Sequence, residues 1–154
     1  MHQKAQRVQS ALTGLGVASV VRELPDSTRT AAEAAAAIGT TVEQIAKSLV
    51  FTSAGQVVLV VASGSHRVSL AKVAAAHGSA LEQSDAKTVK RLTGFSIGGV
   101  PPIGHDEQPA TYLDETLTGH DVIWAAAGTP NAVFPIRPAD LVTITSAKVI
   151  DIRA

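Results

Sequence analysis

Three features of this sequence predict an α+β fold in which a mixed sheet curls toward a barrel with helices around it. The runs "SLVF" and "QVVLVVA" sit on either side of a small polar turn at Gly55, a hairpin pattern foreign to a purely parallel sheet. Helical segments, each with a capping residue before it and a glycine after it, alternate with such β-rich runs. Strand-like runs then crowd the region after Gly94, and short strands gathered among helices favour a sheet that bends over its own core. At 154 residues, roughly 68–70% of the unfolded surface can be buried, so residues 1–154 are expected to form one domain.

In chain order, Val8, Leu12 and Leu15 recur at helical spacing, which predicts an amphipathic helix over residues near 3 to 14 that runs out in glycines. A short strand, "SVVREL", follows. In "TRTAAEAAAAIG", Thr30 and Glu33 have the spacing of a capping box and Gly39 stops the helix. Thr41 and Gln44 repeat that spacing ahead of a brief helix, "VEQIAK", which would leave Lys47 where a helix hands over to the first hairpin strand. Ser69 is placed to cap "LAKVAAAHG" and Asp85 to cap "AKTVKRLTG". The strands "TYLD", "DVIWAAA" and "AVFPI" come next, then a short helix from Pro138, then "KVIDI".

Composition narrows the classes of function. Hydrophobic residues make up 45% of the chain and charged residues 17%, the balance of a folded, soluble protein. With 13 basic and 13 acidic residues there is no overall field to hold a nucleic acid or an anionic membrane, so any such contact must be local. The lack of cysteine excludes disulfides, thiolate nucleophiles and cysteine-bound metals. Its N-terminal stretch has no signal-peptide core and its apolar runs are too short to span a bilayer, which points to a cytoplasmic protein.

The segment "GFSIGGVPPIGH", residues 94–105, opens with the Gly-x-Ser-x-Gly pattern of many esterases. A nucleophile elbow needs a helix directly after the serine. Two glycines and two prolines forbid one here, so Ser96 is expected to be a loop residue although Asp114 and His120 follow in triad order. The backbone after it is the better candidate. Gly98, Gly99, Val100, Pro101 and Pro102 combine N–H groups open to close approach with a fixed shape, suited to gripping a carbonyl oxygen or, more plainly, to a rigid connection. Lys47 is either a cation at a helix end or an ammonium projecting into a cleft to meet a phosphate or polarised ester. "GTPN", residues 128–131, reads as a turn that can also wall a pocket. The five histidines show no zinc-ligand spacing, so neither a metal nor another cofactor is expected. His77 complements a helix dipole, whereas His66 and His105 are placed in loops, as ligand contacts or, more plainly, as exposed loop histidines. Lys87, Lys90 and Arg91 share a helix face, as a solvated surface or a tRNA contact.

Read in order, "IAKSLVF", "VVASGSHRVSLAKVA", "TGFSIGGVPPIGH", "YLDETL" and "WAAAGTPNAVFPIRPADL" resemble the YbaK-like family, related to the editing domain of bacterial prolyl-tRNA synthetase, over nearly the whole chain. The resemblance implies that editing-domain fold and a freestanding aminoacyl-tRNA deacylase. Its partner would be the 3′ end of an aminoacyl-tRNA, with a synthetase as a second partner to consider, and no membrane or metal. Such editing is needed because one methylene distinguishes substrates by only roughly 10–200-fold. The family's lysine falls on Lys47 and its Gly-x-x-x-Pro loop on Gly98, Gly99, Val100, Pro101 and Pro102. Its terminal glycine turn falls on Gly128, with Thr129 beside it, and Ser48 is a further substrate-binding candidate. In the implied mechanism the loop N–H groups hold the ester carbonyl, Lys47 positions the terminal nucleotide or stabilises charge, and water attacks with help from the ribose hydroxyl. Ser48 stands where the alanine-specific branch has asparagine, and "NAVFPI" lacks the acidic residue of cysteine-specific relatives, so the amino acid is narrowed only to Ala, Ser, Thr or Cys, with tRNA-Pro a candidate acceptor. Two rivals are a non-catalytic binder of the same fold and a hydrolase of small esters working through Ser96.

Overall fold

A computed structural model describes residues 1–26 and 30–154; Thr28 and Arg29, at the head of the alanine-rich stretch, lie outside the described residues. Helix α1 (Gln3–Gly14) buries Val8 and Leu12 as its apolar spacing predicts, together with Ala5, whereas Leu15, the third residue of that spacing, follows the last helical residue as the C-cap and is exposed. Helix α2 (Ala31–Ile38) begins with a complete capping box. The Glu33 N–H donates to the Thr30 hydroxyl at 3.1 Å, the Thr30 N–H donates to Glu33 Oε1 at 3.2 Å, and Gly39 ends the helix at φ 83°. Ser69 and Asp85 cap α3 (Leu70–His77) and α4 (Ala86–Thr93), and Pro138 opens α5 (Pro138–Thr145).

The segment "VEQIAK" is not a helix. Val42–Gln44 form a single 3₁₀ turn and Ile45 already begins a strand. Gln44 takes hydrogen bonds from the Thr40 and Thr41 hydroxyls and donates to the Val122 carbonyl, so Thr41 does not cap, and Ile45 pairs with Trp124 instead. Tertiary pairing of a β-branched residue overrides a weak local helix signal. Lys47 is therefore the third residue of a strand rather than the end of a helix.

Among the described residues eight strands make one mixed sheet: β1 (Arg22–Glu23), β2 (Ile45–Ser53), β3 (Gln56–Ser63), β4 (Glu82–Gln83), β5 (Ala110–Asp114), β6 (Ile123–Ala126), β7 (Ala132–Ile136) and β8 (Lys148–Ile150). Their order is β1-β7-β6-β2-β3-β5-β8, with β4 attached to β2. The β2–β3 hairpin turns through Ala54 and Gly55 at φ 51° and 79°, the positive pair that a two-residue type I′ turn requires. The large core, with Leu59, Val61, Leu113 and Phe134, lies under α1, α4 and α5. A second core around Val58, Val60 and Tyr112 takes Val73 of α3 on the other face, and Ala34 and Ala35 of α2 cover Ile45.

One feature of the pairing positions the site. On the edge of β2 away from β3, β6 takes Ile45 and Ala46 while β4 takes Phe51 and Thr52. Among the described residues no strand lies beside 47–50 there, so the sheet forks.

Candidate active site in the fork of the sheet

A cavity of about 550 Å³ occupies this fork, within the range of small-molecule sites. The Gly64 N–H donates to the Ile45 carbonyl at 2.8 Å, which sets the phase of hydrogen bonding along β2. By antiparallel alternation Lys47 and Leu49 bond to β3, whereas the main-chain groups of Ala46, Ser48 and Val50 turn to the other edge. Ala46 is taken up by β6; Ser48 and Val50 open into the fork. Side chains alternate too, with Ala46 and Val50 in the large core and Ile45 and Leu49 on the opposite face, the face of Lys47.

Lys47 lines the cavity and is partly buried. Burial lowers its pKa from the ordinary lysine value, the Asp114 carboxylate opposes that shift, and Arg67 adds to it. No hydrogen bond or ion pair holds its ammonium among the described residues. Asp114 is fully buried and satisfied by the Ser63 N–H at 3.0 Å, the Thr116 N–H at 3.0 Å and His66 Nδ1 at 2.7 Å. A fixed anion behind a free cation thus sets the field at this wall. Among the described residues Ser48 Oγ and Ser84 Oγ are buried without a partner, and both residues line the same cavity. Buried polar groups rarely go unpaired, so an occupant or water with hydrogen-bonding capacity suits this space.

The loop wall follows α4, which stops at Gly94 with φ 79°. Ser96 to Gly99 form a turn closed by the Gly99 N–H donating to the Ser96 carbonyl at 2.9 Å, with Gly98 at φ 91° in the third position, the type II pattern. Gly98 and Val100 line the cavity, and their N–H groups have no partner among the described residues. Gly99 instead packs against the next layer, where a Cβ would stand 2.9 Å from the Thr129 carbonyl carbon. Gly128 is constrained likewise, at φ 96° with the Lys4 carbonyl oxygen 2.7 Å from a Cβ position.

His105 Nε2 lies 2.8 Å from the Pro101 carbonyl and Gln108 Nε2 donates to the Pro102 carbonyl at 3.0 Å, fixing the loop from behind. Burial lowers the His105 pKa, only partly offset by the Pro101 bond, so the ring is a neutral donor at Nε2.

Of the sequence-derived site residues, the cavity brings together Lys47, Ser48, Gly98 and Val100. Gly99, Pro101, Pro102, Gly128 and Thr129 are buried behind it, and the Thr129 hydroxyl donates to Asn131 Oδ1 at 3.0 Å. Ser96 is exposed and outside the cavity wall, and Asp114 bonds His66 rather than His120. His77 Nδ1 sits 2.8 Å from the Tyr112 hydroxyl, away from the fork. Val50, Ser84, Ile97 and Trp124 also line the cavity and were missed by sequence reasoning. Trp124, the lone tryptophan, carried a signal in its rarity; Ser84 carried none, because only the pairing of β4 brings it to β2.

Residues 25–144 match the family model described as the aminoacyl-tRNA editing domain. The chain is 34% identical over 130 residues to the protein YwhH of Bacillus subtilis (strain 168), covering 84% of this chain and 83% of that protein. It is 29% identical over 96 residues, 62% of this chain and 58% of the other, to EbsC of Enterococcus faecalis, named as a candidate Cys-tRNA(Pro)/Cys-tRNA(Cys) deacylase. A solved structure of a candidate trans-editing enzyme for prolyl tRNA synthetase superposes with a TM-score of 0.94 at 46% identity, over 100% of this chain and 99% of that one.

Proposed function

Because the chain belongs to the aminoacyl-tRNA editing domain family, we propose that it is a trans-editing deacylase hydrolysing the ester of a small misplaced amino acid, Ala, Ser, Thr or Cys, on a tRNA. The observation carrying this reading is the fork cavity, which Lys47 lines together with Gly98 and Val100, whose N–H groups, like the lysine ammonium, have no partner among the described residues. Gly98 and Val100 N–H groups hold the carbonyl oxygen as negative charge develops on it. Lys47 binds the terminal nucleotide or the same charge. Water attacks the carbonyl carbon, the bond to the ribose oxygen breaks, and that oxygen leaves with a proton. Ser48 and Ser84 hydroxyls offer the amino acid polar contacts in an otherwise apolar wall. The names of the two relatives make tRNA-Pro the first acceptor to try.

The test is a deacylation screen over tRNAs carrying alanine, serine, threonine, cysteine and the cognate amino acid. Turnover of at least one small misacylated species above the uncatalysed rate is expected; none across the panel overturns the reading. A substrate ending in 2′-deoxyadenosine should bind with little change yet turn over at least tenfold more slowly, since the ribose hydroxyl orients the water. Equal rates for the two substrates would transfer that role to a protein group.

A further inference from the structure

Helices α1 and α4 segregate charge in a way that the fork cavity does not use. Together they carry Lys4, Arg7, Lys87, Lys90 and Arg91, five of the chain's 13 lysines and arginines, and none of its 13 acids. In a chain of zero formal charge such separation is local and costs the fold repulsion. The two helices meet at Gly94, whose carbonyl accepts from Lys4 Nζ at 2.6 Å and from Lys90 Nζ at 3.3 Å. Arg7 and Lys4 lie 5.3 and 5.9 Å from the Phe95 ring centroid. The Lys90 ammonium, then burial, hold Lys4 below the usual lysine range, and Arg7 adds to the shift.

Acidic groups offset this surface only in part. Asp106 pairs with Arg7 at 2.8 Å, and Asp85, the N-cap of α4, feels Arg91. Glu107 shares with Arg7, Arg91 and His105 a polar groove of about 880 Å³. Lys4, Lys87 and Lys90 have no carboxylate partner among the described residues. Lys87 and Arg91 are one helical turn apart on the exposed face of α4.

Position gives this surface its meaning. Gly94 is both the junction of the two helices and the first residue of the loop wall, and three residues on, Ile97 is 55% exposed at the cavity. Cations spread over two helices fit a chain of phosphates better than a single anion, and an apolar lip beside them suits unpaired bases. We infer that the α1–α4 surface binds the phosphodiester backbone of the substrate RNA and leads its 3′ strand past Ile97 into the fork. This inference rests on the deacylase reading for the identity of that strand.

The test uses the whole protein and an uncharged RNA minihelix ending in unpaired CCA, with affinity followed against salt. Replacing Lys87, Lys90 and Arg91 together by glutamine should weaken binding at low salt at least tenfold. The slope of log affinity against log salt should become shallower by about 2.1–2.7, as three phosphate contacts at roughly 0.7–0.9 each require. Lys87→Gln alone, at an exposed position with no partner, should remove about one such contact, and Lys87→Arg should restore it. On a charged minihelix Lys87→Gln, which leaves every loop carbonyl bond in place, should raise KM and spare kcat. Unchanged affinity and slope in the variants overturn the inference. If the wild type binds RNA through these residues but hydrolyses nothing, the deacylase reading fails and the surface stands; if it hydrolyses while the variants bind equally well, only the surface fails.

Discussion

Lys47 and the Gly98–Val100 segment face one cavity, yet the strand wall is held by register and the loop wall by side chains reaching its carbonyls. β2 is tied to β3 along its length and clasped by β6 and β4 at its ends. The loop depends on Lys4 at the Gly94 carbonyl, Arg7 at that of Gly104, His105 at that of Pro101 and Gln108 at that of Pro102. A side chain on the strand wall can therefore be changed without moving the backbone that presents it. On the loop wall, geometry and chemistry change together.

Lys47→Ala should make the largest difference. Losing a charge that acts on the reacting ester costs about 10²–10³ in rate, the scale of removing one oxyanion donor. Stability should change by less than about 0.5 kcal/mol, because the ammonium has no partner to lose and burial disfavours its charged form. Single-turnover rates and thermal melts separate the two effects; a large fall in melting temperature would make this lysine structural. Lys47→Arg sharpens the point, since activity that needs the cation should fall as pH rises through the lowered lysine pKa, and arginine should move that limb upward.

Gly99→Ala tests the loop wall and should couple what Lys47→Ala separates. The new Cβ would stand 2.9 Å from the backbone of Thr129, so loop or turn must move. A stability loss of about 1–3 kcal/mol, typical of overpacking, should accompany a rate loss near tenfold. Wild-type stability with wild-type turnover would show that the two layers are not in register as described.

This division also governs what was legible in the sequence. Patterning and caps exposed the hairpin, the starts of all five α-helices among the described residues and the late strands, because alternation and local hydrogen bonds repeat over several residues. "VEQIAK" misled because Gln44 and Ile45 are claimed by Val122 and Trp124, nearly eighty residues away. Lys47, Ser48, Gly98 and Val100 could be named from motif order, and the fold brings them to one cavity. The fork itself was invisible, since it arises from two strands competing for one edge of β2. The supports of the loop from α1, Lys4 and Arg7, were equally hidden, because nothing local marks a residue that bonds a carbonyl ninety or more residues on.

His105→Gln should have a smaller effect, confined to the loop wall. The folded protein holds this imidazole below its ordinary value of 6.5 by burial, so the unfolded chain takes up the proton first as pH falls. Stability should therefore be highest above pH 6.5 and decline as pH drops through it toward the folded value. In the variant that acid-side decline should be weaker and the rate down by severalfold. Urea midpoints from pH 8 to pH 5 would show it, and identical profiles for both proteins would remove His105 from the support of the loop.

The smallest effect is expected at Ser96, which sits on the loop wall but outside the cavity. Its hydroxyl is in no hydrogen bond among the described residues, and its contribution to the wall is the carbonyl that accepts the Gly99 N–H. Ser96→Ala preserves that carbonyl and the turn, so rate and stability should stay within about twofold and 0.5 kcal/mol. A nucleophilic serine would behave oppositely, with turnover collapsing and an acyl group trapped on Ser96 in the wild type. Mass spectrometry of the quenched reaction decides between the two. An acylated Ser96 would mean that the loop delivers a side chain rather than backbone donors, and the contrast between a wall of charge and a wall of N–H groups would fall with it.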